Sequence, residues 1–215
     1  MRALASFISV FLFATCAGAA QPRYLALGDS FTIGTGTSPE VAFPARLVAI
    51  AARRGVTVQL ENAAVNGHST QELIDLQLPV VQRFAPTHVT LAIGANDLVR
   101  GRGPDGYRAN LRRIFAALAR DGVAPKTVWA IPQPDWSRAP VAAAFGEPAD
   151  LHAKIVLYNR ILAEEVKAFG GQYVDLFALM EQQAAQQLVA PDGLHPSAAA
   201  HAAWAERLDR ELKLK

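Results

Sequence analysis

The side chains able to do covalent chemistry fall into four short clusters. These are Gly28-Asp29-Ser30-Phe31, Asn66-Gly67, Gly94-Ala95-Asn96-Asp97 and Asp192-Gly193-Leu194-His195-Pro196. Together they hold a hydroxyl, a primary amide, an imidazole and a carboxylate, with backbone N–H groups at glycine. A serine hydroxyl is a weak nucleophile at neutral pH unless a base takes its proton as it attacks a carbonyl. Imidazole suits that task, and a carboxylate on its other nitrogen fixes the tautomer and stabilises the imidazolium. The oxyanion that develops needs donors already in place, each worth roughly 3–4 kcal/mol. The set therefore reads as a serine-hydrolase site. Ser30 is the nucleophile, His195 the base and Asp192 the orienting acid. The Ser30 and Gly67 N–H groups and the Asn96 side chain form the oxyanion hole.

Local chemistry favours this reading. Three residues across a turn bring the Asp192 carboxylate beside the imidazole of its own segment. Pro196 biases His195 toward extended backbone, so the ring is presented from a loop. Gly67, without a side chain, lets a substrate approach its N–H closely. Each cluster taken singly also has an ordinary role. Ser30 suits a turn or helix cap, Asp192-Gly193 a tight turn, and Asn96 or Asp97 the start of a helix. The other histidines sit in no comparable cluster. His88, His152 and His201 are assigned background roles, and His68, beside Gly67, the pocket rim.

Those clusters need elements to hold them. Tyr24 to Leu27 reads as a buried strand ending at Gly28, Val56 to Leu60 as a second and His88 to Ile93 as a third. Thr127 to Ile131 and Tyr173 to Leu176 read as a fourth and a fifth. Helical spacing occupies 43–54, 70–84 with a break at Pro79, and 107–121 up to Gly122. It returns over 151–169, before Gly170-Gly171, and in a last helix from Pro196. Glu164-Glu165 is placed on a solvated helix side. Such alternation predicts an α/β fold, a five-stranded parallel sheet with helices on both faces. Three of the chemistry-bearing clusters then follow strands 1, 2 and 3 and the fourth precedes the last helix, where one edge of the sheet could gather them, the place where open parallel sheets bind ligands. Residues 132–148, with four prolines and no period, form a functional loop whose Trp136 and Phe145 offer an apolar wall.

Composition narrows the classes. The chain has 215 residues, 21 Lys+Arg against 19 Asp+Glu and 51% hydrophobic residues, which suits one folded domain and excludes a disordered chain. A net charge of +2 gives no electrostatic footprint for nucleic acid. Gly101-Arg102-Gly103-Pro104-Asp105-Gly106 fits G-x-G-x-x-G literally, but it does not directly follow its strand, so no dinucleotide cofactor is expected. No metal or other cofactor is expected either.

Residues 1–20 have a positive start at Arg2, an apolar run and a small-residue tail, the layout of a cleaved export signal. Phe13-Ala14-Thr15-Cys16 has the outline of a lipoprotein acylation box, with Thr15 and Phe13 out of keeping. Cleavage takes the single cysteine, Cys16, and leaves residues 21–215 as one domain, periplasmic or extracellular, with no membrane span and no thiol chemistry.

In order and spread, the four clusters resemble the sequence blocks of the SGNH, or GDSL-type, hydrolases. The resemblance is strongest to small secreted bacterial esterases, thioesterases and lysophospholipases. It implies a flavodoxin-like three-layer α/β/α fold and a metal-independent acyl-enzyme mechanism. It carries the nucleophile role to Ser30, the oxyanion roles to Gly67 and Asn96, and the rest of the triad to Asp192 and His195. Asp29 would support the nucleophile turn. Phe31 replaces the leucine of the family name, at a position expected to face packing. The partner implied is a small ester, a lipid or an acetylated sugar. A thioesterase or lysophospholipase, a polysaccharide deacetylase, and a non-catalytic binding protein on the same fold are the alternatives.

Overall fold

The computed structural model describes residues 21–215; the expected export signal, with Cys16, lies outside the described residues. The organisation of the sheet is legible in β1 (Arg23–Gly28). Successive strand side chains point to opposite faces, and here both faces are apolar. Leu25 and Leu27 join one hydrophobic cluster with Val89, Leu91, Val128 and Ala130. Tyr24 and Ala26 join another with Trp129 and Ile131. A strand apolar on both sides must be covered on both, as in parallel sheets with helical crossovers.

That sheet contains β1, β2 (Gln59–Asn62), β3 (His88–Ala92), β4 (Val128–Ala130) and β5 (Gln172–Tyr173). All its pairings are parallel, in the order β2-β1-β3-β4-β5. On one face lie α2 (Phe43–Arg53), α8 (Phe177–Ala185) and α9 (Ala198–Leu212), through Phe43, Leu47, Met180, Trp204 and Leu208. On the other lie α4 (Pro79–Phe84), α6 (Pro104–Arg120) and α7 (Pro148–Phe169), through Val81, Leu111, Ile114, Tyr158 and Leu162. This is the flavodoxin-like three-layer α/β/α fold. Its strand order reverses between β1 and β3, which opens a crevice beyond their carboxyl ends. Among the described residues no helix is long and apolar enough to cross a membrane.

Several elements depart from expectation for identifiable reasons. The β2 ladder starts at Gln59, opposite Arg23, so Val56 and Val58 are its approach. Residues 70–84 are α3 (Thr70–Glu72), a π-turn over Leu73–Gln77, then α4. The Leu78 N–H reaches back five residues to the Leu73 carbonyl, and Pro79, which has no N–H to give, restarts the helix. β5 is shorter than expected because Asp175 accepts from the Phe177 N–H and turns the chain into α8, a helix the periodicity did not announce. Ser197 caps α9, which starts at Ala198 and not at Pro196. Glu165 is not on a solvated side. It is buried and accepts from Arg108 at 2.5 Å and from Arg112 at 2.8 Å, tying α7 to α6.

Candidate active site

At Gly28 the chain leaves β1 and turns at once into α1 (Ser30–Ile33). A Cβ on Gly28 would stand 2.3 Å from Thr32 Oγ1 and 2.5 Å from the Ala92 carbonyl, so only glycine lets the turn close. Asp29 caps the helix, its Oδ1 accepting from the Phe31 N–H at 3.1 Å. Ser30 is the first helical residue, so its N–H has no intrahelical carbonyl to bond. Gln77 fastens the turn from outside. Its Oε1 accepts from the Gly28 N–H at 3.0 Å, its Nε2 donates to the Gly28 carbonyl at 2.8 Å, and the same Nε2 lies 3.1 Å from His68 Nδ1. Burial pushes the Asp29 carboxyl up to about 7, against the pull of the Phe31 N–H and with the Asp97 charge adding to the rise.

His195 comes from a segment folded back on itself. The Ala190 N–H donates to the His195 carbonyl at 2.6 Å and the Ser197 N–H to the Leu188 carbonyl at 3.0 Å. Within that fold, Asp192 Oδ1 accepts from the Leu194 and His195 N–H groups, both at 3.0 Å. Its other oxygen, Oδ2, lies 2.7 Å from His195 Nδ1. Burial by itself would raise the Asp192 carboxyl. The two N–H groups and the imidazole outweigh it and hold the carboxyl below its ordinary value.

The third contributor is α5 (Ala95–Val99), which follows β3. Asn96 Nδ2 donates to the His68 carbonyl at 3.1 Å, joining this helix to the Asn66-Gly67 turn. Gly67 has φ +81°, and its carbonyl accepts from Arg100 Nη2 at 2.6 Å. Neither the Gly67 nor the Ser30 N–H is taken by another backbone carbonyl among the described residues. Beneath them Asp97 is wholly buried. It accepts from the Thr70 N–H at 2.8 Å and the Thr70 hydroxyl at 2.5 Å, with Arg102 Nε 2.9 Å away. Asn110 donates to the same Thr70 hydroxyl at 2.9 Å.

A cavity of about 140 Å³ gathers these pieces, lined by Ser30, Asn66, Asn96 and His195 with Trp136 and Phe145. Gly67 is not in its lining; its neighbour Asn66 is. Phe31 is more than packing. Its ring centroid is 5.5 Å from that of His195, and it lines the cavity too. Trp136, in a short 3₁₀ turn of the 132–148 loop, is buried, with Phe145 edge-on at 5.7 Å. Gln77, Thr70, Arg100 and Asn110 escaped sequence reasoning because they belong to no motif. The available signal was a polar residue amid an apolar spacing, as with Asn110 beside Leu111 and Ile114.

His88, His152, His201 and His68 also have definite places. His88 stacks on Trp129 at 5.6 Å, and His201 is fully buried beside Phe43 and Trp204. His68 reaches the site through Gln77 and Asn96. His152 has a partner that the sequence did not suggest, Asp135 Oδ2, 3.2 Å from its Nδ1. Among the described residues, Asp135, His152 and Glu181 form the one group with three metal-type ligand atoms within 4.8 Å of one another. Arg138 Nε already faces the same Asp135 oxygen at 3.7 Å.

Residues 26–203 match the model of the GDSL-like lipase/acylhydrolase family. An arylesterase of Vibrio mimicus is 26% identical over 113 residues, 53% of this chain and 56% of that protein, so the match spans about half of each. The crystal structure of TesA superposes with a TM-score of 0.72 at 22% identity, covering 89% of this chain and 98% of the other. Axe2, an acetylxylan esterase from Geobacillus stearothermophilus, has a TM-score of 0.72 at 19% identity, covering 90% and 95%. At these identities the structural likeness is one of fold.

Proposed function

The chain belongs to the GDSL-like lipase/acylhydrolase family; from that premise we propose that it is an ester-hydrolysing serine hydrolase, cleaving short- to medium-chain carboxylic esters through an acyl-enzyme on Ser30. The observation that carries this reading is the Asp192–His195 pair, bonded at 2.7 Å, on the same cavity as Ser30. With Nδ1 engaged by Asp192, His195 has Nε2 for the Ser30 proton. As Oγ attacks the ester carbonyl, that proton passes to Nε2 and Asp192 stabilises the imidazolium. The negative oxygen is received by the Ser30 and Gly67 N–H groups and by Asn96. A primary amide has two hydrogens, and only one of Asn96's is needed for the His68 carbonyl. When the intermediate collapses, the alcohol leaves with the proton from His195. Water then attacks the acyl-enzyme by the same route and releases the acid. Asp29 holds the nucleophile turn and does not react.

A similar structure named as an acetylxylan esterase supports a small acyl group as the transferred part, and a relative named as an arylesterase supports an ester substrate. Thioesters, lysophospholipids and acetylated polysaccharide are variants of the same chemistry. We further propose export, with residues 1–20 as the cleaved signal and the mature enzyme periplasmic or extracellular.

A fluorophosphonate probe tests the mechanism. Wild type should label at Ser30, Ser30→Ala should not label, and His195→Ala should lose kcat by at least about 10³-fold. A wild type that stays unlabelled, or a Ser30→Ala variant that labels equally, overturns the reading and leaves the non-catalytic alternative.

A further inference from the structure

Behind the wall of the active-site cavity lies a second space, and two side chains belong to both. Trp136 and Leu194 line the cavity that holds Ser30 and His195, and they also line a smaller one of about 30 Å³. The smaller cavity is otherwise bounded mostly by apolar groups, Met180, Leu188 and Trp204 among them. Its polar neighbours are already engaged. Gln183 Oε1 accepts from Trp204 Nε1 at 2.7 Å, and the Asp135 carboxylate accepts from the Ser137 hydroxyl and faces His152. A space with satisfied polar walls and an apolar lining suits methylene groups.

We propose that Trp136 is the partition that ends the acyl subsite, and that it restricts this enzyme to short acyl groups, acetyl to butyryl. The proposal rests on ester hydrolysis at Ser30. A partition restricts chain length only if it resists displacement, and Trp136 is pinned. Its indole N–H donates to Gln133 Oε1 at 2.9 Å. Gln133 is itself held by Asn159 through both of its backbone polar groups. Its N–H donates to Asn159 Oδ1 at 2.9 Å, and its carbonyl accepts from Asn159 Nδ2 at 3.0 Å. All three residues are buried. Swinging the indole aside would strip Gln133 of that bond, and Gln133 Nε2 already has no partner among the described residues. A buried amide left so poorly satisfied is expensive. A longer acyl chain therefore meets a fixed wall. Removing the ring joins the two cavities.

The test is the ratio of kcat/KM for p-nitrophenyl octanoate to that for p-nitrophenyl acetate. Wild type should favour the acetate or butyrate. Trp136→Ala should raise the octanoate-to-acetate ratio roughly fifteenfold, as expected if two further methylenes become buried at about fourfold each. Trp136→Phe keeps a ring but loses the bond to Gln133, so it should raise the ratio by less than alanine does. Trp136→Leu gives the same readout as alanine, slightly muted, if the alanine variant does not fold. A series of alkyl acetates, varied in the alcohol alone, should be unaffected. An active Trp136→Ala enzyme with an unchanged ratio overturns the partition, as does a shift confined to the alcohol series. If wild type hydrolyses no ester and takes no fluorophosphonate, the Ser30 reading fails and this proposal falls with it.

Discussion

At Gly36 the missing side chain is the working part. A Cβ there would stand 2.5 Å from Asp192 Oδ2, the oxygen that faces His195 Nδ1, and 2.7 Å from the Ala190 Cβ. The residue also has φ +81°, a conformation in which any side chain is strained. Gly36→Ala must therefore displace the carboxylate from the imidazole or move the loop that carries both. The expected result is a kcat lower by roughly 10–100-fold with KM little changed, because the interaction acts mainly as charge develops on His195. The low-field proton resonance of His195 Nδ1–H should weaken or move upfield. Gly122→Ala is the control. Gly122 has φ +84° at the end of α6, and nothing lies within 4 Å of an added Cβ, so it carries a comparable backbone penalty with no carboxylate to push. If both variants lose stability alike and Gly36→Ala keeps the resonance and kcat, Gly36 does not position the triad.

Elements meet at Asp97, which lies on α5 next to Asn96 and binds the first residue of α3 through both the Thr70 N–H and its hydroxyl. That bond joins the strand-end segment carrying Asn96 to the one that follows the Asn66-Gly67 turn. Asp97→Asn turns one accepting oxygen into a donor facing donors, so it should cost about 1–3 kcal/mol, seen as a lower urea midpoint. Because the two segments are then less firmly joined, kcat should fall while fluorophosphonate still marks Ser30. An unchanged midpoint would show that the buried carboxylate holds nothing. Legibility in the sequence divides along the same line. β1, β3, β4, α6 and α7 were readable because their apolar residues repeat at strand or helix period, and the site clusters because three follow strands and the fourth precedes the last helix. Gln77, Thr70 and Asn110 were not, since hydrogen bonds between segments far apart leave no trace in spacing. Glu165 was misplaced for the converse reason. Residue type suggested a solvated carboxylate, and two arginines decided otherwise. Phe31 packs in an apolar cluster as expected and also faces His195.

For the molecule as a whole, two buried groups set opposing slopes of stability against pH. His201 has neither ring nitrogen partnered among the described residues. Burial, with the charges of Arg46 and His195 adding, lowers its pKa from 6.5 to about 4. Between those values the unfolded chain binds a proton that the folded one refuses, so stability is lost as pH falls from 6.5 toward 4, by about 3 kcal/mol in all. Asp29 acts in reverse. Its pKa rises from 3.8 to about 7, so the folded state keeps a proton that the unfolded chain releases. Stability present below 3.8 is lost as pH rises toward 7, by about 4 kcal/mol. Over pH 4.5–6.5 the two largely cancel, and wild-type urea midpoints should change little. Below pH 4.5 the cancellation ends, because Glu72, Glu165 and Asp192, whose carboxyls are all held low, then take up protons and their stabilisation is lost. Single variants should separate the slopes. His201→Leu leaves Asp29, with Asp97 also raised by burial, opposed across that range mainly by His88, which burial lowers, so its stability should decline as pH rises. Asp29→Asn keeps a capping oxygen and removes the acid, so its stability should fall as pH drops from 6.5 to 4.5. Urea midpoints of the three proteins at pH 4.5, 5.5 and 6.5 decide the matter, and three parallel profiles would show that neither group governs it.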